Sequence, residues 1–347
     1  MRNQEIKGKK QAISILFLIL IMVVTIFIYL RGYSVQQLLE TLNNINYGFL
    51  TAGLAMMVLF VSCEATNIHM IMRVLGQPLS YRRCLQYSSI GFYFSSITPS
   101  ASGGQPMQIY YMKKDDIPIT LSSITIFFIV FVYQIAMVFW GLLSVALRYG
   151  TAVRFASKLK YLLIYGSLVN VGAILLLFSF MFSRNIIPKL LSLLVKAGGK
   201  LRIIKRTEEV KSKVDQSMAL YREKALVLKN HPILFFKVFF VTMIQMAALN
   251  LMPYLIYRSM GYHTSHLLDL FACQSLLTIS VSAVPLPGAE GVNQGGFLRV
   301  FDLFFPQSAI TSAMLINRTI SFYIPLVISF FVYIFVHLRT MKLLRQR

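Results

Sequence analysis

Pro285-Leu286-Pro287-Gly288-Ala289-Glu290-Gly291, running on to Gly295-Gly296, interrupts an apolar run that extends from Leu267 to Val284. Prolines, glycines and a carboxylate stand where an apolar helix should continue. Proline removes a backbone donor, and glycine costs about 1 kcal/mol relative to alanine inside a helix. In hydrocarbon the cost rises, because broken backbone is tolerated there only where protein or a wet cavity satisfies the freed groups. A second break of the same kind, Thr98-Pro99-Ser100-Ala101-Ser102-Gly103-Gly104-Gln105-Pro106, lies in the first half of the chain. Paired Gly/Pro interruptions in corresponding places of two halves point to a solute site of the transporter kind.

Composition fixes the solvent in which these breaks sit. Of 347 residues, 56% are hydrophobic and only 13% are charged, whereas soluble domains carry about 25% charged residues. The chain is therefore expected to be an all-α polytopic membrane protein. Long continuous apolar runs, rather than short alternating ones, argue against a β-barrel. The net charge of +22 lies in loops between apolar runs, so anionic lipid headgroups, and not nucleic acid, are its expected partners. Cys63, Cys84 and Cys273 stand at unrelated spacings and define neither a disulfide framework nor a metal site. No cofactor motif, ATPase-type phosphate loop or Ser/His/Asp set is present, and no catalytic residue is assigned. The serines of 95–102 have no nearby histidine to activate them.

Eight apolar runs occupy 12–30, 48–72, 84–97, 117–147, 161–182, 232–257, 267–284 and 308–338. A span needs about 20 residues, so six are expected to cross fully, while 84–97 and 267–284 enter as re-entrant or broken segments. Lys7, Lys9 and Lys10 place the N-terminus in the cytoplasm, and without a small-residue cleavage site the first run reads as an uncleaved span. Arg73, Arg82, Arg83, Lys113 and Lys114 claim the same side, so 84–112 enters and leaves on one face. Arg339, Lys342, Arg345 and Arg347 make the C-terminus cytoplasmic too, and 266–306 then enters and leaves from outside. The expected architecture is a single membrane domain, 1–347, in the cell membrane. Within it, 48–147 and 232–338 form inverted repeats. Arg148, Arg154, Lys158 and Lys160 fall outside in this scheme, against the positive-inside rule. The loop 184–230 carries 12 Lys/Arg against four acids. Its Val210, Val214, Met218, Tyr221, Ala225 and Leu228 recur at helical spacing. That pattern fits an amphipathic helix on the inner leaflet or against the bundle, and equally a solvated connector.

Ionisable groups at the centre of a span cost about 2.5–3.5 kcal/mol and are functional candidates by default. Glu64, with Asn67 one turn on, Glu290 in the second break, Arg318 beside Asn317, and Arg299 with Asp302 are such groups. Arginine suits a phosphate, to which its planar fork donates two hydrogen bonds. Helix N-termini suit it as well, and Gly103-Gly104 before Met107 and Gly295-Gly296 before Phe297–Phe305 offer two. Plainer roles compete with each of these. Arg318 could simply neutralise Glu290 or Glu64, Arg299 and Asp302 could form a surface pair, and the glycines could serve close packing. Gln134, Gln245 and Asn250 read as interhelical glue, His69 as structural, and Trp140 as packing or an interfacial anchor.

The set Pro99…Gly103-Gly104, Pro287-Gly288-Ala289-Glu290-Gly291 and Arg318…Tyr323-Ile324-Pro325 resembles the lysylphosphatidylglycerol synthase transmembrane region, over nearly the whole chain. That is the flippase-like membrane domain of multiple peptide resistance factors and their stand-alone relatives. The resemblance implies a lipid flippase that translocates or binds an anionic or aminoacylated phospholipid, such as phosphatidylglycerol or its lysyl derivative. It makes Gly288, Gly291 and Tyr323 headgroup-site candidates beside the residues above, with Glu290 and Glu64 facing any lysyl amines. In full-length synthases the lysyl transfer belongs to a soluble C-terminal domain, and this sequence stops at Arg347, nine residues past the last apolar run. The chain is therefore not expected to be a phosphatidylglycerol lysyltransferase by itself. The alternatives are the membrane half of such an enzyme, working with a soluble acyltransferase partner, and a scaffold for an envelope-lipid enzyme. Either is compatible with a homo-oligomer.

Overall fold

The computed structural model describes residues 45–182, 219–221, 223–286 and 291–346, and every regular element in them is helical. In chain order these are α1 (Tyr47–Val74), α2 (Tyr81–Ile97), α3 (Gly104–Lys114), α4 (Ile119–Leu147) and α5 (Tyr149–Phe182). Then follow α6 (Pro232–Asn250), α7 (Met252–Ser259), α8 (Leu267–Val281), α9 (Val292–Phe301), α10 (Ile310–Arg318), a π-helical turn at Thr319–Tyr323, and α11 (Ile324–Gln346). Five stretches are long and apolar enough to cross a membrane: Tyr47–Val74, Ile119–Leu147, Tyr149–Met181, Pro232–Ser259 and Ile310–Met341. They correspond to five of the six runs expected to span; the sixth, 12–30, lies outside the described residues, as do Val210, Val214 and Met218.

Local chemistry sets the boundaries. Asn46 caps α1 by accepting from the Gly48 amide at 2.9 Å. Pro253 sits in the first turn of α7, where its missing N–H costs nothing but prevents α6 from running on unbroken. Pro325 likewise lacks the amide that an α-helix would direct to the Ser321 carbonyl, and the chain widens into the π turn immediately before it.

Both breaks fold as helical hairpins. Gly91 of α2 lies against Gln108 of α3, and Gly104 against Ser95, so the pairing steps outward antiparallel from a tip at 98–103. Tyr87 and Asp115 close the open end, where the phenol donates to the carboxylate at 2.5 Å. In the second half, Gly296 of α9 packs on Leu277 of α8. Long span, short helix, short helix and long span thus succeed one another in the same order in each half. The packing crosses between halves: α2 lies against α11, α8 against α4 and α5, and α1 against α6. Tyr93 stacks on Tyr333 at 5.5 Å in the first of these seams, and Trp140 meets Phe271 at 4.8 Å in the second.

Two of the four basic residues that defied the charge rule have acidic partners far away in sequence. Arg148 pairs with Asp269 at 2.7 Å, and Thr151 donates to the same carboxylate at 2.5 Å. Lys158 pairs with Asp302, so Asp302 does not form the expected pair with Arg299. Helix α5 begins at Tyr149, twelve residues before the apolar run predicted there, and is kinked at Leu159. Its amphipathic first section buries Phe155 completely while Lys158 reaches Asp302. Residues 223–229 are helical, and Tyr221, Ala225 and Leu228 are buried in a cluster with Met72, Met112 and Leu121. This end of the basic loop therefore lies against the bundle.

Candidate functional site

Two large hydrophobic clusters occupy opposite ends of the molecule. One gathers α2, α3 and α11 around Tyr87, Tyr93 and Tyr333; the other gathers α8, α9 and α10 around Tyr257, Phe297 and Phe301. Between them lies a cavity of about 710 Å³. The long spans line it with residues from their middle sections, including Phe60 and Glu64 of α1 and Tyr133 and Gln134 of α4. Both hairpin tips reach it: Ser100, Ala101, Ser102 and Gln105 from the first, Ser282, Val284, Leu286 and Asn293 from the second. The first tip is strained, with Ser100 and Ala101 in the left-handed region at φ 49° and 53°.

Glu64 and Arg318 both face this cavity. Gln108 Nε2 donates to Glu64 Oε1 at 2.6 Å, and it can pass beneath α2 because Gly91 leaves room for its side chain. Arg318 closes α10 at the start of the π turn and is 8% exposed. Its guanidinium lies 4.5 Å from the ring centre of Phe322, a cation–π contact that holds the fork at the wall. A carboxylate and a guanidinium on different spans thus line one chamber. The first can meet a cationic or donor group, the second a phosphate.

The remaining expected residues are placed elsewhere. Asn67 is fully buried and donates to Thr242 Oγ1 at 3.0 Å, joining α1 to α6. The Gly103 amide donates to Thr98 Oγ1 at 2.9 Å, so one of the amides intended for an anion is already used. Gly104 begins α3 and is buried where the two hairpin arms touch. Gly295 and Gly296 are not at a helix start: α9 begins at Val292, and the Gly295 amide donates within the helix to the Gly291 carbonyl at 2.8 Å. The glycine doublet suggested a terminus because glycine breaks helices, but here Gly296 clears space for Leu277. Gly291 caps α9 at φ 72°, a conformation that favours glycine. Arg299 is exposed and off the cavity, and Tyr323 is buried in the first cluster. Gly288 and Glu290 lie outside the described residues. His69 accepts a structural role, with Nδ1 2.8 Å from the Leu79 carbonyl oxygen.

Four amide side chains were undervalued by sequence. Gln134 and Gln245, read as glue, line the chamber, and so do Gln108 and Gln274. A polar residue inside an otherwise apolar helix was the signal for Gln134, Gln245 and Gln274, whereas Gln108 was marked only by following the first break.

Fold and site together define an all-helical, multi-pass membrane protein in which two broken hairpins meet at an interior polar chamber. The sequence matches the lysylphosphatidylglycerol synthase TM region over residues 11–329, and the chain belongs to that family. It is also similar to a UPF0104 membrane protein of Archaeoglobus fulgidus, with 24% identity over 289 residues covering 82% of this chain and 85% of that protein.

Proposed function

We propose that this protein binds the headgroup of an anionic or aminoacylated phospholipid in the chamber and carries it across the bilayer. One observation carries the reading: both hairpin tips, Glu64 and Arg318 converge on one cavity lined by the middles of long apolar spans. Broken backbone and ionisable groups are costly at that depth and persist where a polar solute passes. In this reading Arg318 takes the phosphate, Glu64 faces an ammonium or hydroxyl group, and the acyl chains stay in the bilayer. The two halves act as inverted repeats whose relative tilting exposes the chamber to each leaflet in turn.

The test is headgroup exchange between leaflets of proteoliposomes containing fluorescent phosphatidylglycerol and lysyl-phosphatidylglycerol. Arg318→Ala and Glu64→Gln are each expected to slow exchange at least about tenfold, equivalent to roughly 1.4 kcal/mol, at unchanged folded yield. Normal exchange by both variants refutes the assigned site.

A further inference from the structure

We propose that the chamber contains a second recognition element, an amide subsite on Gln245, Gln274 and Asn317 that reads the hydroxyl groups of a polyol attached to the lipid phosphate. This rests on the reading of the chamber as a headgroup site and names the part of the headgroup beyond the phosphate. The three residues stand on α6, α8 and α10, so they approach the cavity from three directions. They are 2%, 7% and 6% exposed, and each holds a side-chain carbonyl oxygen that no protein group satisfies. Gln134 of α4, which also lines the cavity, holds a fourth such oxygen. Thr278 lies among them; its hydroxyl donates to the Gln274 main-chain carbonyl at 2.9 Å and sits 3.4 Å from Gln274 Nε2 and from Asn250 Oδ1, too long for strong bonds to either amide.

Buried polar atoms are almost always paired, and a cluster of unpaired ones around a single cavity signals an absent polar occupant. The chemistry of the amide narrows its class. A phosphate oxygen only accepts and an ammonium only donates, so either would leave half of each amide unused. A hydroxyl both donates and accepts, as does an amide terminus. Several amides around one chamber therefore match several hydroxyls on one small scaffold. Glycerol and a cyclitol or sugar ring share that chemistry; the ring offers more hydroxyls, and the four unpaired amide oxygens have more capacity than a glycerol uses. Arg318 lies next to Asn317 in the chain and faces the same space, which puts a phosphate and its attached polyol within reach of neighbouring side chains.

The experiment compares fluorescent phosphatidylglycerol, phosphatidylinositol and phosphatidylmethanol in proteoliposomes. The last carries the same charge without a hydroxyl. A site built to bond hydroxyls discriminates strongly against an analogue lacking them, so the polyol lipids are expected to move at least about tenfold faster than phosphatidylmethanol. Gln274→Met and Asn317→Leu remove unpaired amide oxygens without opening a large cavity, and are expected to reduce the ratio of polyol-lipid to phosphatidylmethanol movement to within about twofold. Gln245→Met supplies a third variant should either of these fold poorly. Whichever polyol lipid moves faster identifies the source of the hydroxyls. In parallel, detergent-purified protein is titrated with glycerol 1-phosphate, inositol 1-phosphate and methyl phosphate, with thermal stabilisation as the readout. Lipids that all move at one rate, with variants that change nothing, overturn the amide subsite and leave the translocation reading standing. No lipid movement, with the phosphopolyols still stabilising the protein more than methyl phosphate does, overturns translocation and supports the subsite. Absence of both effects overturns both.

Discussion

Gly104 separates two explanations of why glycines flank the first break. If Gly103-Gly104 exists to offer amides to an anion, Gly104→Ala should be nearly silent, because alanine keeps the amide. If Gly104 exists to bring α2 and α3 together, the added methyl carbon lands 2.7 Å from the Gly91 carbonyl oxygen, about 0.7 Å inside ordinary contact. The obstacle is backbone, which cannot rotate away, and Ser95 Oγ obstructs the same spot. The hairpin must open by several tenths of an ångström, an overpacking cost of about 1–3 kcal/mol. Gly295 and Gly296 supply internal controls. A methyl at Gly295 meets nothing within 4 Å inside α9, so Gly295→Ala should stabilise by about 0.5–1 kcal/mol. At Gly296 the obstacle is Leu277 Cδ1 at 2.6 Å, the end of a flexible side chain, so Gly296→Ala should fall between the other two. Equilibrium unfolding of the three variants in one detergent, followed by helical circular dichroism, gives the ranking. Gly104→Ala within about 0.3 kcal/mol of the parent, with lost headgroup exchange, refutes the packing explanation and restores the anion site.

Two further predictions concern the charge pairs and the tip. Arg148→Gln, Asp269→Asn and their double variant should show a coupling of about 1 kcal/mol in unfolding, below that of a buried pair because the side chains remain 30% and 21% exposed; additive effects would show that the pair contributes no stability. Ser102→Cys should react with a small water-soluble maleimide in the folded protein, whereas Cys63, Cys84 and Cys273, all buried, should not react before unfolding. Protection of the new cysteine would mean the tip is closed to water.

The long spans were legible because hydropathy is a property of the segment itself. The runs 48–72, 117–147, 232–257 and 308–338 reappear as Tyr47–Val74, Ile119–Leu147, Pro232–Ser259 and Ile310–Met341. Helix α5 was truncated at its start because Arg154, Lys158 and Lys160 look like loop residues until Asp302, 144 positions away from Lys158, comes alongside. Of the proposed headgroup residues, Glu64 and Arg318 were legible, since a charge within an apolar run advertises its cost. The amides were not. Gln245 facing a chamber and Asn67 bonded to Thr242 have the same sequence signature, a polar residue within an apolar helix. Only the neighbouring helix decides whether such a group is already satisfied. The glycines failed for a related reason: a missing side chain can free the backbone or admit a neighbour, and Gly295 and Gly296 lie in an intact helix.

The acidic residues add a physical reason for the two hairpins to be held at their bases rather than at their tips. Asp115 is the C-terminal cap of α3, and Asp302 occupies the same position after α9. Asp115 accepts from Tyr87 and lies 3.7 Å from Arg339, whereas Asp302 meets Lys158 of α5. Each hairpin is thus tied by a carboxylate at its open end to a helix outside the hairpin, or to its own opposite arm. By contrast, the first tip presents strained backbone with Ser100 and Ser102 to the chamber, and Ser282 reaches it from the second half. A device that only needed to fill space would put its firmest polar contacts where burial is deepest. This one fixes the ends near the predicted membrane faces and leaves polar capacity unspent in the middle. On the proposed reading, that distribution suits a chamber whose contents change while its walls pivot, so that the same residues meet a headgroup from either leaflet.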